Sequence, residues 1–241
     1  MSSQRSAASQ GGLECRELTL LRRDGAGADR PVLDAVEATF AAGELAVVSG
    51  PTGAGKSTLL HLLAGLLRPT SGEVWAGGEP VSRYRGAHRD RWRRQVGLVL
   101  QSTSQLWPDL TAAENVMLPL VPRGGSRAAL RRRVTAAMER LGTLDLAARA
   151  AAELSVGEQQ RVAVARALVV EPTYLLADEP TAHQDPAGLD RVMAALTAAR
   201  DAGATVVVAS HDPRLIDGSY DQHRFQLDDG RLQAGRADDA S

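Results

Sequence analysis

Lysine is almost missing from this 241-residue chain. Of its 28 Lys and Arg residues only Lys56 is lysine, and the rest are arginine. A composition that otherwise prefers arginine keeps a lysine where a compact ammonium on a flexible stem serves and a planar, fork-shaped guanidinium does not. Cysteine is equally scarce. The single Cys15 excludes an internal disulfide and fits a reducing compartment. The longest apolar stretch, Leu59 to Leu67, is interrupted by His61. It falls far short of the roughly 18 to 20 residues of a membrane-spanning helix. A formal net charge of −1 gives no general reason to expect binding to nucleic acid, and no nucleic-acid partner is expected. The basic run Arg83, Arg85, Arg89, Arg91, Arg93 and Arg94, around Tyr84 and Trp92, reads as a solvated face in a chain of balanced charge.

What is present centres on that lysine. It stands in Gly50-Pro51-Thr52-Gly53-Ala54-Gly55-Lys56-Ser57-Thr58, the G-x-x-x-x-G-K-[ST] pattern of a phosphate-binding loop. By chance this pattern turns up in about one chain in a hundred of this length, given ordinary glycine usage. The context lowers that further. Leu45-Ala46-Val47-Val48 reads as a short apolar strand, and Ser57 to Leu63 has helical spacing, so the loop joins a strand to a helix N-terminus. Glycines let successive N–H groups turn inward as a nest for anionic oxygens, and the helix end adds partial positive charge. Lys56 then spans the outer phosphates of a nucleoside triphosphate, and Ser57 places its hydroxyl on Mg2+.

Length suits one domain, or one domain with a subdomain. Met1 to Gly12 is small and polar, with no signal-peptide core, and is expected to be a disordered leader. The domain is expected over 13–233, with 234–241 a flexible tail. Runs at Leu18 to Leu21, Val32 to Phe40 and Glu73 to Trp75 predict an antiparallel portion beside the loop. Val96 to Leu100, Tyr174 to Ala177 and Thr205 to Ala209 are near-continuous apolar runs, as parallel strands covered on both faces should be. Between Gln101 and Val170 the pattern turns helical. Thr111-Ala112-Ala113-Glu114 is a capping box that opens one helix, and Arg127 to Leu141 supplies another. The fold class is therefore α/β, a mixed-sheet core with an antiparallel β subdomain and an α-helical insert at about 102–170.

Four further motifs accompany the loop. Leu154-Ser155-Val156-Gly157-Glu158-Gln159-Gln160-Arg161 lies 24 residues before Asp178 of Tyr174-Leu175-Leu176-Ala177-Asp178-Glu179-Pro180-Thr181. Gln101 ends the strand before the insert, and His211 of Ala209-Ser210-His211-Asp212 ends the next core strand. Together these resemble the signature sequence, Walker B strand, Q-loop and switch histidine of the ATP-binding cassette (ABC) ATPases, over roughly Leu13 to Leu232. Each also has its own chemistry. Asp178 ends a buried strand, where a carboxylate orients Mg2+ or its water shell, and Glu179 stands beside it, where an attacking water is aligned. Ser155 to Glu158 is at once a capping box ahead of an apolar helix and an anion site at a helix N-terminus. Asp185-Pro186 reads equally as a helix N-cap with a first-turn proline and as the family's D-loop aspartate.

The resemblance implies ATP and Mg2+ as cofactors. It implies Glu179, His211 and Gln101 as catalytic residues, and Ser57, Gln101 and Asp178 at the metal. Nucleotide contacts would come from Gly50, Pro51, Thr52, Gly53, Ala54, Gly55, Lys56, Ser57 and Thr58, and from Ser155, Gly157, Glu158 and Asp185. In this family the signature loop of one subunit meets the γ-phosphate held by the other, so one chain is half of a head-to-tail device, most simply a homodimer. The chain departs from the family pattern at Val156 and Glu158, usually glycine and glutamine, and at His183 and Gln184, usually small or apolar. It also lacks an adenine-stacking aromatic at Leu20 to Asp24, where Leu21, Arg22 and Arg23 stand.

The stretch Gln101 to Leu120 is similar to the lipoprotein-releasing and macrolide-exporting branch. That resemblance implies a separate membrane permease with few spans and an extracytoplasmic domain. It also implies a cytoplasmic, membrane-peripheral location and export or extraction of a lipophilic, peptide or drug-like substrate. Leu106 and Trp107 there fit either a permease contact or packing within the insert. The alternative function is a cell-division-like regulator or force transmitter that moves no cargo. A DNA-repair or translation ATPase of the same superfamily would usually bring coiled coils, zinc sites or tandem cassettes, none of which the sequence contains.

Overall fold

The computed structural model describes residues 11–23, 25, 27–101, 105–216, 220 and 222–235, and the expected leader and tail lie largely outside them. Two positions just outside the expected 13–233 span make main-chain contacts with the fold. Gly12 is packed against the Phe40 carbonyl, where an added Cβ would come within 2.4 Å, and Ala234 pairs with Phe225 in a strand. Close backbone approach and strand pairing use main-chain groups, so neither shows in the polarity of the ends.

Two sheets carry the fold. Strands β1 (Leu13–Arg23), β2 (Asp29–Phe40) and β4 (Ser71–Ala76) make an antiparallel sheet in the order β2-β1-β4. The larger sheet contains β3 (Leu45–Ser49), β5 (Val96–Val99), β6 (Tyr174–Asp178), β7 (Thr205–Ala209), β8 (His223–Asp228) and β9 (Arg231–Ala234), in the order β5-β6-β7-β3-β8-β9. It is parallel from β5 to β8, with β9 antiparallel at the edge. Strands β8 and β9 were not expected, because His223–Asp228 mixes polar and apolar residues as a half-exposed strand does.

Both faces of the parallel sheet are covered, which is why β6 and β7 are buried at every position. Leu45 and Val47 pack into one apolar cluster, Ala46 and Val48 into the other. Helix α1 (Lys56–Leu63) covers the second face with Leu59, Leu60, Leu62 and Leu63. Helix α2 (Gly86–Arg93) follows β4 and is anchored by Trp92, whose ring lies 4.8 Å from that of Tyr174. Around that buried aromatic Arg83, Arg85, Arg91 and Arg94 are exposed, while Arg89 and Arg93 are half-buried and Arg93 donates to the Gly65 carbonyl at 2.7 Å.

Between β5 and β6 the chain is helical, with α3 (Ala112–Met117), α4 (Arg127–Arg140) and α5 (Val156–Leu168). Thr111, Ser126 and Ser155 cap them. Leu120, Met138 and Leu141 are fully buried in the core there, and each contributes about 1.5–3 kcal/mol. After β6 come α6 (Pro186–Asp201) and the short α7 (Pro213–Ile216). The C-terminal ends of β3, β6 and β7 thus lie side by side, the position where open parallel sheets present ligand sites.

Candidate active site

The loop after β3 is shaped by glycines that nothing larger could replace. Gly50 has φ 148°, and a Cβ there would come within 2.0 Å of the Leu227 carbonyl on β8. Gly55 has φ 105° and stands as the N-cap of α1 with no side-chain hydrogen bond to the helix. The first N–H groups of α1 therefore face the loop uncapped by a side chain, which suits an anion. Lys56 is buried, and its Nζ donates to the carbonyls of Gly50 at 2.7 Å and Pro51 at 3.0 Å.

Asp178 is the last residue of β6 and Glu179 follows it, and each is 4% exposed. Burial pushes the Asp178 carboxyl above the usual carboxylate range, the neighbouring Glu179 charge adds to this, and a hydrogen bond from Ser57 opposes it. Glu179 is turned into a left-handed backbone conformation, φ 48°, which costs a non-glycine residue about 1 kcal/mol or more. Its surroundings hold it there. The Glu179 N–H donates to Ala209, Ser210 Oγ donates to Oε2 at 2.9 Å, and the His211 N–H donates to Oε1 at 3.1 Å. The His211 imidazole Nδ1 lies 2.5 Å from Oε1. A cavity of about 460 Å3 brings Gln101 together with Glu179, His183, His211 and Asp212.

The second set of expected residues forms its own wall. Ser155 Oγ accepts from the Glu158 N–H and donates to Glu158 Oε2 at 2.8 Å, while Glu158 accepts from the Ser155 N–H. These bonds hold the Glu158 carboxyl below its usual range, with Arg149 and Arg161 helping. Gln184 joins this wall to the D-loop: its amide donates to the Gly157 carbonyl at 2.9 Å and accepts from Arg161 at 2.8 Å. Asp185 caps α6 by accepting from the Gly188 N–H. Among the described residues, no hydrogen bond joins Ser155 or Asp185 to the Gly50–Thr58 loop of the same chain.

A family model described as "ABC transporter" matches residues 33–182. The chain belongs to the ABC transporter family. It is an ATP-binding, ATP-hydrolysing domain of that family. The cell division ATP-binding protein FtsE of Escherichia coli is 41% identical over 207 residues, which cover 86% of this chain and 92% of that protein. An uncharacterised ABC transporter ATP-binding protein of Mycobacterium tuberculosis is also 41% identical over 207 residues, again 86% of this chain but 62% of the other. Among solved structures, the dimeric post-hydrolysis state of the cassette MJ0796 bound to ADP and Pi superposes with a TM-score of 0.86. It is 32% identical and covers 93% of this chain and 98% of that one. CbiO1 of Clostridium perfringens, part of the transporter complex cbiONQ, superposes with a TM-score of 0.78 at 29% identity, covering 92% and 87%.

Several partners within this ABC domain were not anticipated. Ser210 precedes His211 at the end of β7, and that adjacency was the available signal. Gln105 and Gln160 gave none, since an amide reveals its partners only after packing, and Gln184 stood out only as a departure from the family pattern. Of the two residues Leu106 and Trp107, Leu106 is buried in the helical core, whereas Trp107 is 65% exposed. Trp107 lines a cavity of about 360 Å3 with Leu98, Leu118, Pro119 and Arg166. No helix among the described residues is long and apolar enough to cross a membrane.

Proposed function

We propose that this chain is one half of a twofold ATPase that binds Mg-ATP between two copies and drives a separate integral-membrane permease. The observation that carries this reading is the separation of the two walls. Lys56, Ser57, Asp178 and Glu179 share one end of the parallel sheet, while Ser155 and Asp185 stand on helix ends bonded elsewhere, so one chain supplies half of each composite site. The dimeric MJ0796 structures support the same arrangement.

In this reading Gly50 to Thr58 cradle the triphosphate, and the Lys56 ammonium exchanges its loop carbonyls for phosphate oxygens. Ser57 and Asp178, a hydroxyl and a carboxylate in contact, are the hard oxygen donors that Mg2+ would take, and Gln101, which lines the cavity with Glu179 and His211, would complete that metal set. When bound there, Mg2+ supplies positive charge to the outer phosphoryl groups. Glu179 acts as general base on the attacking water, and Ser210 and His211 aim its carboxylate. Ser155, Gly157, Glu158 and Asp185 belong to the half-site presented to the partner copy.

The exposed Trp107 and its groove support docking of a permease, of the few-span type with an extracytoplasmic domain, on the cytoplasmic side of the membrane. The cargo reading is export or extraction of a lipophilic, peptide or drug-like substrate. The similarity to FtsE supports a second reading, a regulatory or force-transmitting membrane complex without cargo. Reconstitution with the co-purifying membrane protein separates them by transport of a substrate or by gating alone.

The chemistry is tested by two variants. Glu179→Gln should bind ATP normally, slow turnover by about 10² to 10⁴ fold and accumulate an ATP-bound dimer. Lys56→Ala should lose ATP affinity. Undiminished turnover in the first, or unaltered affinity in the second, refutes the assignment.

A further inference from the structure

The signature helix and the segment after Gln101 meet through a run of side-chain amides that ends on the main chain of Glu179. The Gln105 amide clasps the Leu100 peptide from both sides, accepting from its N–H at 3.0 Å and donating to its carbonyl at 3.0 Å. The same Gln105 Nε2 donates to Gln160 Oε1 at 3.2 Å, and Gln160 Nε2 donates to the Glu179 carbonyl at 3.3 Å. Gln160 is buried, 6% exposed, on α5. Arg166, further along α5, donates to the Gln105 carbonyl at 2.7 Å and also lines the groove beside Trp107.

This chain of contacts bears on Glu179 because that residue is held in an unfavourable backbone conformation. A residue at positive φ keeps its geometry only while its neighbours over-determine it. The peptide N–H of Glu179 is fixed by Ala209 on β7, and its carbonyl accepts from the Ala182 N–H at 3.1 Å and from Gln160 Nε2 at 3.3 Å. Losing the Gln160 donor leaves that carbonyl with only the Ala182 bond of its own turn and cuts its tie to α5, so fewer constraints over-determine the strained residue. The carboxylate then turns away from the direction set by Ser210 and His211. Gln160 in turn is oriented by Gln105, because its oxygen can accept from Gln105 only when its nitrogen points at Glu179.

We infer that Gln105 and Gln160 are positioning residues that set the direction of the Glu179 carboxylate, acting through its main-chain carbonyl and linking it to the strand end at Leu100 and to the Trp107 groove. This rests on the reading of Glu179 as general base. Neither amide touches the reacting atoms, so neither is a catalytic residue.

The test is steady-state ATP turnover by the full chain, with kcat and KM separated, for Gln160→Leu, Gln105→Leu and each combined with Glu179→Gln. A small displacement of a catalytic group costs about one to two orders of magnitude, so Gln160→Leu should lower kcat by about 10-fold or more while the KM for ATP moves less than about 2-fold. Gln105→Leu should lower kcat in the same sense and by less. In the Glu179→Gln background both should add nothing, because the group they position is already gone. Gln160→Glu keeps an acceptor for Gln105 but, ionised, has no donor for Glu179, and it should behave like Gln160→Leu.

If Gln160→Leu fails to fold, Gln105→Leu decides, since Gln105 is only partly buried. Unchanged kcat in the folded variants overturns the inference, as does an equal loss in the Glu179→Gln background, which would mean a general packing defect. Those results leave the function untouched if Glu179→Gln alone is slow. Full turnover in Glu179→Gln alone instead refutes the base assignment and removes the premise.

Discussion

His211 grips Glu179 twice, once through its backbone N–H and once through its imidazole, and both contacts fall on the same carboxylate oxygen. Ser210 takes the other oxygen, so three contacts from one strand end aim a carboxylate that burial alone would leave poorly solvated. His211→Ala keeps the backbone contact and loses the ring. Turnover should fall by about 10-fold or more, with ATP affinity little changed. A phosphate-release assay beside equilibrium ATP binding checks this, and wild-type turnover in the variant would remove the imidazole from the site.

Ser155 carries two roles that a pair of substitutions can separate. As the N-cap of α5 it satisfies the Glu158 N–H, so Ser155→Ala should cost about 0.5–2 kcal/mol in chemical denaturation. Ser155→Asp retains a good cap but puts a negative charge where the partner's triphosphate would lie. It should stay near wild-type stability yet lose ATP-dependent dimerisation in size-exclusion chromatography. A normal dimer formed by the Ser155→Asp variant would sink the half-site role of this residue.

Asp178 makes a pH-dependent prediction. Burial raises its folded pKa above the unfolded value. The nucleotide-free protein therefore loses stability as pH climbs from the ordinary carboxylate value through the raised one. Asp178→Asn removes the buried charge, so its melting temperature should exceed that of the wild type near about pH 7, by about 2 to 4 °C for each kcal/mol relieved. The gap should close below about pH 4, where the wild-type carboxyl is protonated as well. Thermal melts without nucleotide across this range check the sign.

Trp107 is exposed, and its backbone N–H and C=O are held by Asn115, so its indole can be removed without disturbing the turn. Trp107→Ala should leave stability within about 0.5 kcal/mol and leave the ATPase of the isolated chain unchanged. It should weaken capture of the membrane partner in a co-purification experiment. Undiminished capture would point away from this groove.

Much of the fold was legible because its signals are local. The buried strands Tyr174–Asp178 and Thr205–Ala209 and the capped helix starts at Thr111 and Ser155 each announce themselves within a few residues. Strand β8 did not. Its single buried residue, Leu227, matters chiefly because its carbonyl lies under Gly50, a contact between residues far apart in the chain. Gly12 and Ala234 are likewise held by main-chain contacts rather than by apolar side chains, which the polarity of those segments does not show.

The sequence by itself determined the chemistry that is contiguous: one lysine in a glycine-rich loop, two carboxylates closing a strand, a serine opening a helix. Short spacing and backbone geometry leave such segments few alternatives. Tertiary structure alone decided how those groups are aimed. Folding brings Ser210 and His211 to Glu179, runs the amides of Gln105 and Gln160 to its carbonyl, and sends Leu106 inward while Trp107 stays out. Hydrogen-bond direction and burial are properties of the packed neighbourhood, and a residue acquires them only when distant strands and helices have met.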